Sequence, residues 1–141
     1  MKLHGLERLF AEELASLTLY EDALESITML QQAGIKIGLC SNLAAPYGTA
    51  VRRLLPGLDS YGFSFEVGAV KPDPIIYQSV CRTLGIEPGN QLGGDRVVMA
   101  GDSIRCDRDG ARAAGIAGFY LNREGMGDFR SLVKLAEQVL E

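Results

Sequence analysis

The sequence predicts an α/β protein in which a parallel sheet carries helices on both faces. Three observations point there. From about Leu19 onward, helical apolar patterns alternate with short apolar runs, the signature of successive βα units. The boundaries carry cap and turn residues of the right kind, among them Gly34, Asp73, Gly85 and Gly115. Finally, 141 residues, 47% hydrophobic and 23% charged, suffice for one ordinary globular core.

Taken in order, Thr18 to Glu21 fits a capping box, Leu24, Ile27 and Leu30 follow at helical spacing, and Gly34 ends the helix. Ile35 to Cys40 reads as a buried parallel strand that stops at Ser41-Asn42, and Ala45 to Leu55 as a helix. The apolar run around Phe63 to Val67 is the second expected strand. It leads into Lys71-Pro72-Asp73-Pro74, where Asp73 can N-cap a helix, Pro74 occupies its first position and Gly85 closes it. Beyond the glycines at 89, 93 and 94, Val97 to Ala100 is the third strand, and Gly101-Asp102-Ser103 opens a helix that closes at Gly115. Gly118 to Leu121 is the fourth. Asp128 is expected to start a last amphipathic helix with Phe129, Leu132, Val133, Leu135, Ala136 and Val139 along one stripe. Residues 1–18 break the alternation, since Leu6, Leu9, Phe10 and Leu14 predict an amphipathic helix with no strand before it.

A net charge of −4 provides no basic field for a nucleic-acid backbone, so nucleic-acid binding is not expected. Acidic residues interrupt the apolar ones of the first stretch, which excludes a signal-peptide core and a spanning segment there; no membrane association and a cytoplasmic location are expected. Cys40, Cys81 and Cys106 lack CxxC spacing, and with His4 as the single histidine they do not compose a recognisable zinc site. Buried thiols in a reducing compartment are the simpler reading.

In a doubly wound sheet, ligands bind beyond the C-terminal ends of the strands, so polar residues there are the informative ones. Ser41-Asn42 ends the first predicted strand, Lys71 follows the second, and Asp102-Ser103 ends the third with Asp107 on the helix after it. A hydroxyl, a cation and two carboxylates are the parts needed to hold a phosphoryl group beside an oxygen-liganded metal. Each has an ordinary structural reading: Ser-Asn as a turn, Lys71 as a solvated lysine, Asp102 and Ser103 as caps, Asp107 as a favourable helix-dipole partner, and Gly101 with the GARAAG stretch as close packing. The functional reading gains because all of them fall on one rim of the predicted sheet.

From Leu19 to Asn122 the sequence resembles the haloacid dehalogenase (HAD) superfamily. Leu39 to Asn42 (LCSN) is similar to its second motif, Val70 to Tyr77 (VKPDPIIY) to its third and Gly101 to Gly115 (GDSIRCDRDGARAAG) to its fourth, in the family's order and spacing. The resemblance implies a Rossmann-like three-layer sandwich and a hydrolase that uses Mg²⁺ on small phosphorylated metabolites. It implies catalytic roles for Ser41 and Lys71, phosphate contacts from Ser41, Asn42 and Lys71, metal binding by Asp102 and Asp107, and support from Gly101 and Ser103. The GDS form favours the metal-dependent phosphatase branch over the metal-free dehalogenases.

The family attacks with the first aspartate of a DxDx(T/V) motif ending a strand in the middle of the sheet, and this sequence contains no such motif. Asp107-Arg108-Asp109 has DxD spacing but belongs to the fourth motif. The expectation is therefore a core over residues 19–141 with a four-stranded parallel sheet, the family's first strand missing, and residues 1–18 as the remnant of a cap segment. Closure of the gap would place the strand bearing Ser41 beside the strand bearing Asp102. Without the nucleophile the chain as given is expected to be inactive; the alternative is a non-catalytic module binding phosphate or a protein through the same pocket. Self-association into a homo-oligomer stays open.

Overall fold

The computed structural model describes residues 2–4, 21–86, 97–122, 124–125 and 127–141. Five strands form one sheet: β1 (Lys2–His4), β2 (Ile37–Ser41), β3 (Ser60–Phe63), β4 (Val97–Gly101) and β5 (Ala117–Tyr120). The helices are α1 (Glu21–Gln32), α2 (Ala45–Leu54), the single turn α3 (Ser64–Val67), α4 (Pro74–Leu84), α5 (Ala111–Ala113), which continues a π-helical segment Ile104–Gly110, and α6 (Leu132–Leu140). The strand order is β3-β2-β1-β4-β5, with every pairing parallel.

Side chains alternate across the strands into two cores, as the period of two requires. Ile37 and Leu39 of β2 and Val98 and Ala100 of β4 join Leu30, Val51, Leu132 and Leu135 under α1, α2 and α6. Cys40 of β2 and Val97 and Met99 of β4 join Ile76, Tyr77, Val80 and Ala111 under α4 and α5. The expected three-layer α/β sandwich is present.

The four predicted strands are there, but the sheet has a fifth, and this corrects the expected closure of the gap. Lys2–His4 stands between β2 and β4, Leu3 opposite Ile37 and Val98, and His4 opposite Gly38 and Met99. The two flanking strands therefore do not touch. The amphipathic helix expected at Leu6 to Leu17, the capping contribution of Thr18 and the glycines at 89, 93 and 94 lie outside the described residues.

Two boundaries also moved. The second predicted strand sits earlier, at Ser60–Phe63, and Ser64–Val67 is a helical turn ended by Gly68 at φ 84°. Asp59 fixes that register: its N–H donates to the Ile37 carbonyl (2.8 Å) while its Oδ2 accepts from the Ile37 N–H (2.7 Å). The last helix starts at Leu132 under a Ser131 cap, whose Oγ accepts from Lys134 N. Asp128 is otherwise engaged, accepting from Tyr120 N at 2.7 Å. Asp22 Oδ2 takes the Leu132 N–H (3.0 Å) and so ties α6 to α1.

Asp73 caps α4 as expected, accepting from Ile75 N at 2.9 Å with Pro74 first in the helix. Among the described residues, no helix is long and apolar enough to cross a membrane. Leu39, wholly buried, reports on the core: Leu39→Ala should lower unfolding free energy by about 2–5 kcal/mol in a urea titration. The half-exposed Leu24, truncated in the same way, should change it by less than about 0.5 kcal/mol.

Candidate active site

Short apolar strands end at the same rim, and each delivers a polar group there because the chain must turn into a helix at that point. β2 ends in Ser41, with Asn42 next; the loop before α4 carries Lys71; β4 ends in Gly101, with Asp102 and Ser103 next; the π-helical segment carries Asp107. Lys71 and Asp107 meet in a buried ion pair, Nζ to Oδ1 at 2.7 Å, their side chains 1% and 0% exposed. Asp107 Oδ2 accepts the Ser103 N–H at 2.9 Å, so both carboxylate oxygens are engaged.

Burial disfavours charge on both partners. It pushes the Lys71 ammonium below the usual lysine range, opposed by Cys106 and by the negative charge of Asp102. It pushes the Asp107 carboxyl above the usual carboxylate range, opposed by the Ser103 N–H. Each charge is held by the other, and the backbone around them is fixed accordingly.

Asn42 clamps Lys71 at two points: its Oδ1 accepts the Lys71 N–H (2.7 Å) and its Nδ2 donates to the Lys71 carbonyl (3.2 Å). The Asn42 loop is itself pinned, because Ser64 Oγ accepts from Leu43 N (2.8 Å) and donates to the Leu43 carbonyl (3.2 Å). On the other side, Ser103 Oγ caps the π-helical segment by accepting from Cys106 N. Such widened turns concentrate at functional sites. Gly101 is required there, since a Cβ would overlap the Asp107 carboxylate; Gly118 is required on β5, where a Cβ would strike the backbone of Arg108.

The structure thus gathers Asn42, Lys71, Ser103 and Asp107 through direct bonds, brings the Asp102 charge close to Lys71, and packs Gly101 under Asp107. Ser41 is buried beside them in the chain, 1% exposed, and its Oγ makes no hydrogen bond among the described residues. A buried hydroxyl in that condition is suited to an incoming acceptor or donor. Sequence reasoning missed the clamp by Asn42, the loop staple by Ser64 and the buried Tyr77, whose hydroxyl donates to the Cys106 carbonyl at 2.6 Å. The only sequence signals were a Ser64 opening a helical turn and an aromatic at the inner face of α4.

The donor set suits a hard cation held sparingly. No group of three or more histidine, cysteine or acidic side chains is assembled among the described residues. Asp107 is committed on both oxygens; Asp102 could hold a cation, and Mg²⁺ needs only one or two carboxylates when water and substrate oxygens complete its shell.

Removal of one partner of the ion pair leaves the other charge buried. Lys71→Met should cost about 3–5 kcal/mol at neutral pH, and the double change Lys71→Met with Asp107→Leu should recover much of it. The sign of the pH effect follows: with its folded pKa raised above the ordinary 3.8, Asp107 alone favours the folded state at low pH and loses that contribution as pH rises through the raised value. Denaturant titrations of Lys71→Met at about pH 5 and 8 should therefore show the lower stability at the higher pH.

The model of the family described as haloacid dehalogenase-like hydrolase matches residues 2–115. Over 109 residues the chain is 29% identical to a glyceraldehyde 3-phosphate phosphatase of Methanopyrus kandleri, covering 74% of this chain and 43% of that protein. Over 127 residues it is 30% identical to (S)-2-haloacid dehalogenase 4A of Burkholderia cepacia, covering 86% and 51%. A HAD phosphatase from Thermococcus onnurineus superposes with a TM-score of 0.73 at 29% identity, over 86% of this chain and 58% of that one. The chain spans about half the length of these curated relatives. Sheet order, rim residues and family match agree: the chain belongs to the haloacid dehalogenase-like hydrolases.

Proposed function

We propose that this chain carries the phosphate- and Mg²⁺-binding part of a phosphoester hydrolase site of this family, acting on a small phosphorylated metabolite, and that it lacks the nucleophile needed to turn such a substrate over. The observation that carries the reading is the buried Lys71–Asp107 pair, pinned by Asn42 and Ser103, together with the buried Ser41 hydroxyl, which has no hydrogen-bond partner among the described residues. A lysine paired with a carboxylate, and a hydroxyl donor at the end of β2, suit a phosphoryl group.

In this reading Ser41 and Asn42 contact phosphoryl oxygens and Lys71 neutralises their charge. Asp102 ligates Mg²⁺, while Asp107 acts from behind by fixing Lys71 and the loop at Ser103. When bound, the metal supplies Lewis-acid stabilisation of charge on the phosphoryl oxygens. The division into a cap remnant over residues 1–18 and a core over residues 19–141 belongs to the same proposal, with Lys2–His4 lending its strand to the core sheet. Phosphatase relatives support phosphoesters as the ligand class, alongside a haloacid dehalogenase matched at similar identity.

A second reading, a non-catalytic phosphate- or protein-binding module, is favoured by one observation. The middle strand of the sheet is Lys2-Leu3-His4, and nowhere does the sequence contain a DxDx(T/V) run. Without a carboxylate nucleophile the covalent route has no first step. Both readings predict binding without turnover.

Calorimetric titration with inorganic phosphate or vanadate in the presence of Mg²⁺ should show saturable binding. Ser41→Ala and Asp102→Asn should each weaken it by roughly tenfold or more, the latter with loss of the Mg²⁺ requirement; no binding at millimolar phosphate overturns the assignment of the site. Hydrolysis of p-nitrophenyl phosphate should stay at background. A robust rate abolished by Asp102→Asn would show instead that the chain holds its own nucleophile.

A further inference from the structure

Ser64 lies outside the three segments that resemble family motifs, yet it bonds the residue directly after the first of them. β3 pairs with β2 so that Phe63 stands opposite Ser41, and the chain turns into α3 immediately after. That places the Ser64 hydroxyl against the loop following Ser41, where it accepts from Leu43 N at 2.8 Å and donates to the Leu43 carbonyl at 3.2 Å. One hydroxyl thus holds both main-chain polar groups of a loop residue, and its removal leaves both to find other partners.

Ser64 is itself held in place. Phe65 stacks on Phe63 with ring centroids 5.8 Å apart, and it lies so close over Gly48 of α2 that a Cβ there would come within 2.6 Å of its ring. Glu66 pairs with Arg52 of α2 at 2.6 Å, and the Arg52 guanidinium sits 4.7 Å from the Phe63 ring centre. An exposed ion pair contributes little alone. Together with the ring packing it joins the single turn α3 to α2 at two points, and a hydroxyl carried on an anchored turn gives the loop a fixed contact.

Next to Leu43, Asn42 has its Oδ1 on the Lys71 N–H and its Nδ2 on the Lys71 carbonyl, and Lys71 Nζ reaches Asp107. A displaced Leu43 carries Asn42 with it, because the two share a peptide bond, and hydrogen bonds of 2.7 and 3.2 Å do not lengthen far before they are lost. Building on the phosphate-binding reading above, we infer that Ser64 is a positioning residue for the anion site: it fixes the Asn42–Leu43 peptide and, through the Asn42 side chain, the place of Lys71. Its effect on the ligand passes through those two residues.

Calorimetric titration with inorganic phosphate and Mg²⁺ reads the effect, with the folding of each variant checked by urea titration. Ser64→Ala should weaken binding by about fivefold, and Ser64→Thr, which keeps the hydroxyl, should bind within about twofold of the unaltered protein. Asn42→Ala should weaken binding too, and adding Ser64→Ala to it should cause no further loss, since residues acting through one another do not add. Ser131→Ala removes the α6 cap at a similar cost in stability and should leave phosphate affinity unchanged, which separates positioning from general loosening. An unaltered affinity in Ser64→Ala, an equal loss in Ser64→Thr or in Ser131→Ala, or full additivity with Asn42→Ala overturns the inference and leaves the parent reading standing. Failure of the unaltered protein to bind phosphate overturns both.

Discussion

The buried contact between Lys71 and Asp107 is the constraint around which the rest of the rim is arranged. Neither charge would persist alone at that depth, because the cost of removing each from water is repaid only by good geometry and further hydrogen bonds. Those bonds are supplied from two separate parts of the sequence, after β2 and after β4. Asn42 after β2 fixes the lysine's backbone, Ser103 after β4 donates to the carboxylate, and the absence of a side chain at Gly101 gives the carboxylate its room. The π-helical segment is held at its start by Ser103 and in its middle by the close approach of Asp107 and Arg108 to Gly118. A pair so supported is fixed in orientation, the condition for electrostatic preorganisation.

Much of this was legible in the sequence because rim residues occupy fixed places relative to strand ends. The run of apolar residues before Ser41 and before Asp102 located both, and Asp73-Pro74 located the helix after Lys71. The exceptions have physical causes. Lys2–His4 is three residues long and two of them are polar, so no periodicity could reveal a strand in the middle of the sheet. Phe63 to Val67 looks more apolar than Ser60 to Phe63, yet the two-way bonding of Asp59 to Ile37 set the earlier register. Asp128 and Ser131 were both plausible caps for α6, and the Tyr120 N–H claimed the first. The amide clamp by Asn42 joins residues 29 apart, a pairing that local pattern cannot show.

Family membership explains why a chain about half as long as its curated relatives still makes an ordered sandwich. The βα units that build the rim each contribute a strand, a polar terminus and a helix that covers one face. Two separate cores, one on each side of the sheet, keep those strands in place. The groups proposed to hold a ligand follow the strands that flank β1 in the sheet.

That middle strand also bears on how the molecule reaches its native state. The parallel crossover units β2-α2-β3 and β4-α5-β5 each join strands close in sequence, whereas residue 3 must find residue 37 and residue 4 must find residue 99. Contacts of such separation carry the largest loop-closure entropy and form late. The two halves of the sheet are thus joined through β1 at its centre and through the shared core beneath α1, α2 and α6.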